Sequence, residues 1–192
     1  MYKDIAGVIL AGGKSRRMGF PKQFLTLKSR RVVDNIIDVL KGFFEEILIV
    51  TDDKSCFAEI KGVCIAEDIV KDRGPLGGIY TGLKRSSNKR AFFVACDMPF
   101  LHNGLIERLL KISNDENLDC IIPRSEKGPE PLHGIYSKNM IPEIEKSLKS
   151  GELSIAGMLN KFNCKYVKAE KGELTSFLNI NTQEDLEKIK LL

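Results

Sequence analysis

The sequence predicts an α/β protein in which a mostly parallel sheet lies between two layers of helices, a three-layer α/β/α sandwich. Two observations carry this. Short apolar, β-branched runs alternate along the chain with segments of helical spacing. Residues suited to chemistry also recur just past the strand ends, where open α/β sheets bind ligands. Size agrees: 192 residues, 43% hydrophobic and 29% charged, suit one domain over 1–192 with a core that needs no staples.

The elements follow in order. Ile5 to Leu10 is an unbroken apolar run and reads as a buried first strand. Val32 to Leu40 has helical spacing and stops at Gly42. Ile47 to Val50 is a second strand, ending at Thr51-Asp52-Asp53; Ser55 is suited to cap a helix over Cys56 to Ile60. Val63 to Ala66 is a third strand, ending in Glu67-Asp68. The glycines and proline of Arg73-Gly-Pro-Leu-Gly-Gly-Ile79 prescribe a tight loop, Leu76 to Leu83 then reads as a helix, and its N-terminus offers free N–H groups. Arg90 to Ala95 is a strand, Leu105 to Ile112 a helix with His102 at its start, and Asp119 to Ile122 a strand closed by Pro123. Further on, Glu130 to Tyr136 reads as a loop entering a short strand. Ile141 to Leu148 and Ser154 to Leu159 are helices, and Cys164 to Val167 and Phe177 to Ile180 are strands. Thr182 caps a last helix with Glu184 and Asp185 in its first turn.

The most informative stretch runs from Gly7 to Leu27. After the first strand come paired glycines (Gly12, Gly13), a set of cations (Lys14, Arg16, Arg17, Lys22), then Gly19 and Pro21. Glycines let a backbone approach a ligand and expose its N–H groups, and cations complement negative charge, so this is an anion-binding loop. It is not a Walker A loop: Gly13-Lys14-Ser15 ends one correctly, but the opening glycine position holds Val8. The dinucleotide fingerprint fails as well, because Gly12 and Gly13 are adjacent.

In a parallel sheet this loop, Thr51-Asp52, Asp68 and Asp97 all fall on one edge and can converge. Asp97 follows an apolar strand and is suited to hold Mg²⁺, which binds through one or two carboxylates plus substrate phosphates. Arg17 offers a fork to phosphate oxygens and Lys22 a point charge. Asp68 is suited either to accept from a base or sugar or to pair with Lys71 or Arg73. His133 either faces the cleft or is structural. Such a site suits attack by a phosphate or hydroxyl oxygen on a nucleotide α-phosphorus, with pyrophosphate leaving, a transfer that needs positioning and charge neutralisation more than covalent chemistry.

Other classes are disfavoured by composition. Net charge is +4 and no long basic stripe exists, which argues against a nucleic-acid partner; the absence of Trp leaves little for a base-stacking platform. No run approaches 18 apolar residues, so no membrane helix is expected. Five scattered cysteines without a C-x-x-C pair, and no signal-like N-terminus, lead us to expect reduced thiols in a cytoplasmic protein.

The block from Leu10 to Lys22, L-A-G-G-x-S-x-R-M-G-x-x-K, resembles the signature of nucleotidyltransferases with a Rossmann-like, GT-A-like (nucleotide-diphospho-sugar transferase) domain. Further blocks narrow the resemblance to the molybdenum cofactor guanylyltransferases (MobA-type): Gly74-Pro-Leu-Gly-Gly78, Cys96-Asp-Met-Pro99, Pro131-Leu-His133 and Asn179-Ile-Asn-Thr-Gln-Glu-Asp-Leu186. The resemblance implies transfer of GMP from Mg·GTP to the phosphate of the molybdopterin cofactor, with molybdenum-cofactor delivery proteins as further partners. It implies GTP contacts at Leu10, Ala11, Gly12, Gly13, Lys22 and Asp68, and contact of Asp97 with both GTP and Mg²⁺. Asn179 and Asn181, with His133, would lie on the pterin side. Where the family often has Asn, this chain has Thr51 or Asp52. Pro21-Lys-Gln-Phe-Leu25 is similar instead to methylerythritol phosphate cytidylyltransferases, whose His-Asp-Ala-Ala-Arg run is absent here. A cytidylyltransferase, acting on molybdopterin or another phosphorylated small molecule, and a non-catalytic nucleotide-binding module are the alternatives.

Overall fold

A computed structural model describes residues 1–12 and 25–190. Gly13, Arg17 and Lys22 of the anion loop therefore lie outside the described residues. The strands are β1 (Ile5–Leu10), β2 (Thr26–Leu27), β3 (Arg30–Arg31), β4 (Ile47–Thr51), β5 (Cys64–Glu67), β6 (Arg90–Ala95), β7 (Cys120–Ser125), β8 (Gly128–Pro129), β9 (His133–Ser137) and β10 (Cys164–Lys168). The α-helices are α1 (Val32–Lys41), α2 (Gly74–Arg85), α3 (Asn103–Ile112), α4 (Ile141–Ser150), α5 (Ile155–Leu159) and α6 (Gln183–Lys190).

The main sheet has the order β10-β7-β9-β6-β1-β4-β5, with β8 paired to β7. β5, β4, β1 and β6 are mutually parallel, as are β7 and β10; β9 runs against both its neighbours. The sheet is thus mostly parallel, as expected, with two reversed strands, β9 and the two-residue β8. Alternation along β1 builds the two layers. Ile5 and Ile9 point to a core shared with α1, α3 and α6, while Ala6, Val8 and Leu10 point to one shared with α2, α4 and α5. All six residues of β1 are buried, as befits a central strand covered on both faces.

Two glycines bring α2 close to the sheet. A Cβ at Gly78 would lie 2.9 Å from Leu10 Cδ2, and one at Gly82 would lie 2.6 Å from Phe93 Cε1 and 2.9 Å from Val8 Cγ1. At these two positions nothing larger than hydrogen fits between the helix and the strands beneath it.

Several local expectations are corrected. The turn after β4 is a short 3₁₀ segment (Lys54–Phe57) capped by Asp53, whose carboxylate accepts from the Ser55 N–H; Ser55 is not the cap. β7 runs through Pro123, because on one side the antiparallel pairing with β9 is confined to Cys120 and Ile121, and the missing N–H there breaks no rung. Phe177 to Ile180 is not a strand: a 3₁₀ segment spans Lys171–Phe177, and the residues from there to α6 join no strand. The β2–β3 hairpin was not anticipated; Lys28 and Ser29 both take positive φ (50° and 66°) to close its two-residue loop. The cysteines are not all thiols. Parallel register sets Cys164 opposite Cys120, with Cα atoms 4.7 Å apart, and the two form a disulfide; Cys56, Cys64 and Cys96 remain thiols.

Candidate active site

The carboxyl ends of β1, β4, β5 and β6 share one edge, and a cavity of about 320 Å³ opens there. Hydrogen bonds continue the ladder beyond the strands and hold the loops to this edge. The Ala11 N–H donates to Val50 O (2.8 Å), the Cys96 N–H to Leu10 O (3.0 Å) and the Asp68 N–H to Thr51 O (2.9 Å). Four aspartates line the cavity: Asp52, Asp68, Asp72 and Asp97. Leu10 and Gly12 from the β1 end, and Asn179 and Asn181 from the segment before α6, complete much of the wall.

Each position has a local cause. Gly12 lies against the Asp52 carboxylate: a Cβ there would stand 3.5 Å from both of its oxygens. Thr51 is buried and its hydroxyl is spent on the Asp53 backbone, so Asp52, not Thr51, meets the cavity at the position where the resemblance led us to look for Asn. Asp68 is half-buried. Its Oδ1 accepts from the Thr81 hydroxyl (2.6 Å) and the Val70 N–H (3.2 Å). Lys71, one of its suggested partners, instead pairs with Glu67 at 2.7 Å. Burial, reinforced by the Asp52 charge, raises the Asp68 carboxyl above the usual carboxylate range, and the bonds from Thr81 and Val70 oppose this.

Asp97 follows β6 and is only 7% exposed. Its backbone carbonyl accepts from the Ile180 N–H (3.0 Å), which ties the Asn179–Asn181 segment to the end of β6. At the far end of that segment, Asp185 accepts from the Asn181 and Thr182 N–H groups while Thr182 Oγ1 accepts from the Asp185 N–H. This reciprocal cap fixes the start of α6.

The N-terminus of α2 also enters the wall through Gly74, Pro75 and Gly78. Asp72 and Gly74 take positive φ (59° and 60°) to turn the chain into the helix, Pro75 sits in the first turn, and among the described residues no side chain caps it. Its first-turn N–H groups therefore suit an anionic or polar ligand. Asp72 and Leu132 are wall residues that sequence reading missed. Asp72 gave only the weak signal of an Asp before Gly-Pro; Leu132 gave none beyond its place next to His133.

His133 is not brought to the cavity. It is the first residue of β9, fully buried opposite Val94, with its ring edge-on to Phe92 (5.2 Å) and Phe177 (5.5 Å). Neither ring nitrogen has a hydrogen-bond partner among the described residues, and burial depresses its pKa to about 3, so the imidazole is neutral. The Pro-Leu-His block reaches the cavity through Leu132 alone. Ala11 is buried beneath the wall with its N–H held by β4.

Among the described residues no group of three or more His, Cys, Asp or Glu side chains forms a metal cage. The oxygen donors of Asp97 and its neighbours still suit a hard divalent cation of the kind that takes one or two carboxylates and completes its shell with water and phosphate. Among the described residues no helix is long and apolar enough to cross a membrane.

Comparison with known proteins agrees with this architecture. Residues 7–162 match the family model of the MobA-like NTP transferase domain. A protein of Syntrophotalea carbinolica named molybdenum cofactor guanylyltransferase is 35% identical over 95% of this chain and 89% of its own length. The crystal structure of molybdopterin-guanine dinucleotide biosynthesis protein A from Archaeoglobus fulgidus superposes with a TM-score of 0.84 at 26% identity, covering 97% of each chain. The fold alone is shared with 4-diphosphocytidyl-2C-methyl-D-erythritol synthase of Anaerococcus prevotii, with a TM-score of 0.73 at 16% identity over 98% of this chain and 95% of that one. With a family model covering most of its length and a near-full-length relative above 30% identity, this chain belongs to the MobA-like NTP transferases, the family of the molybdenum cofactor guanylyltransferases.

Proposed function

We propose that this chain, acting as one nucleotidyltransferase domain over 1–192, transfers GMP from Mg·GTP to the phosphate of the molybdopterin cofactor. The observation that carries the reading is the convergence of Asp52, Asp68, Asp97 and the α2 N-terminus on one cavity at the carboxyl edge of the sheet. An acceptor phosphate oxygen attacks the α-phosphorus of GTP, the α–β phosphoanhydride bond breaks, and pyrophosphate leaves with the electron pair. Asp97 would hold Mg²⁺, which when bound supplies charge neutralisation at the phosphates. Arg17 and Lys22 would bring the cations that the described wall lacks, since its charged members are all aspartates.

Gly12 and Gly13 would bring backbone groups to the nucleotide, with Leu10 beside them in the wall and Ala11 supporting them from beneath. Asp68 is an acceptor and so suits N–H or O–H donors of the nucleoside, not phosphate. Asn179 and Asn181 would face the pterin acceptor, with their segment kept in register by the Ile180 bond to Asp97. We assign His133 to the core. We place the chain in the cytoplasm on its family membership, since the Cys120–Cys164 bond removes reduced thiols as a ground for it, and delivery proteins for the molybdenum cofactor would take the product.

Calorimetry with Mg²⁺ and GTP, CTP, ATP and UTP tests the reading. It expects a clear preference for GTP. A preference for CTP would point to a cytidylyltransferase, and nucleotide binding without pyrophosphate release on adding the acceptor would point to a non-catalytic nucleotide-binding module.

A further inference from the structure

We propose that Thr81 is a positioning residue that orients Asp68 toward the nucleotide, an inference that rests on the nucleotide-binding reading above. Thr81 lies within α2 and is fully buried. A threonine inside a helix commonly bonds back to its own preceding turn. Here its hydroxyl reaches across to the loop after β5.

The Thr81 Oγ1 accepts from the Ile69 N–H (3.0 Å) and donates to Asp68 Oδ1 (2.6 Å). The direction of this relay is forced. A backbone N–H can only donate and an ionised carboxylate can only accept, so the hydroxyl accepts from Ile69 and turns its own hydrogen to Asp68. The Val70 N–H adds a second donor to the same oxygen, at 3.2 Å.

Both donors thus fall on Oδ1, which fixes the plane of the carboxylate and leaves Oδ2 as the oxygen for a ligand in the cavity that Asp68 lines. Oδ2 sits beside the first turns of α2, where a Cβ at Gly77 would lie 3.6 Å away. The base edge and ribose of a nucleoside carry the N–H and O–H donors that such an acceptor takes; a phosphate oxygen has none to offer. Thr81 touches no ligand in this account. It acts by holding one carboxylate oxygen so that the other is aimed.

The test is calorimetric binding of Mg·GTP to the full chain, below the melting temperature of each variant. Thr81→Val keeps the shape and removes the hydroxyl; Thr81→Ser keeps the hydroxyl and removes a methyl. Loss of a hydrogen bond to a charged group corresponds to a Kd raised about tenfold for Thr81→Val, with Thr81→Ser within about twofold of the wild type. Wild-type affinity in Thr81→Val, or a folded Thr81→Ser as weak as Thr81→Val, overturns the inference. If Thr81→Val does not fold, Thr81→Ser decides alone: near-wild-type affinity supports the hydroxyl's role and a tenfold loss overturns it. A wild-type chain that binds no nucleotide at all overturns the nucleotide reading itself, and this role with it.

Discussion

The sheet has two halves that meet where β6 pairs with β9. On the β5-β4-β1-β6 side every strand runs the same way, so four carboxyl ends open on one edge and each delivers its next residues to the cavity. On the other side β9 runs against its neighbours, and the polar residue at its start stays inside the ladder. Asp97 and His133 make the contrast concrete. Both are buried polar side chains at the ends of adjoining strands, 7% and 0% exposed. Asp97 stands past the last rung of β6 and meets the cavity; His133 is paired opposite Val94 and packs between two phenylalanines. Position relative to the strand end, more than residue type, separates a group that can do chemistry from one that fills space.

Substitutions on the two sides should therefore fail in different ways. The largest effect is expected at Asp97. Asp97→Ala should lower Mg²⁺-dependent pyrophosphate release by about a hundredfold or more while the protein keeps its circular dichroism spectrum. A folded, active variant would remove the metal assignment. Next is the helix that carries the α2 N-terminus to the cavity. Gly82→Ala would drive a methyl into Phe93 and Val8, both fully buried, and should cost about 1–3 kcal/mol of stability by chemical denaturation. No loss would mean that α2 can lift from the sheet.

The third effect is one of acid stability. His133 binds its proton less readily in the fold than in the unfolded chain, with its pKa down to about 3 from 6.5. The unfolded state then holds more protons between these values, so stability falls as pH drops from about 6.5 towards 3. His133→Phe should flatten that part of the pH–stability curve and change little near pH 8, measured by urea midpoints across the range. An unchanged acid limb would mean that the ring finds a partner on protonation.

The smallest effect on stability has the opposite sign. The Asp68 carboxyl is raised by burial, so here the fold holds the extra proton and stability declines as pH rises through the window above the ordinary carboxylate value. Asp68→Asn removes the charge while its amide oxygen can still accept from Thr81 and Val70. It should melt slightly higher than the wild type at neutral pH and bind Mg·GTP more weakly. A variant that melted lower and bound normally would reverse both assignments.

Much of this arrangement was legible because strong local signals agreed with the tertiary structure. β1 and β6 fall on the expected residues, and the aspartates after β5 and β6 reach the cavity that strand-end reasoning pointed to. The failures share a physical origin, in that context overrode local preference. Phe177 to Ile180 is apolar enough for a strand, yet Ile180 serves as an anchor, buried and bonded to Asp97. Lys28-Ser29 lacks the Asn or Gly that usually marks a two-residue hairpin. The Cys120–Cys164 bond depends on register across 44 residues, which no spacing rule can supply. The sequence showed His133 next to a wall residue, but strand alternation turned it away from the wall.

The backbone bonds that extend the ladder past β1, β4, β5 and β6 have one more consequence. Because Asp68 and Cys96 in the wall and Ala11 beneath it are each held by a neighbouring strand, the freedom of the backbone there is already lost when the sheet forms. An arriving nucleotide need not organise this side of its own site, so little conformational entropy remains to oppose its capture there.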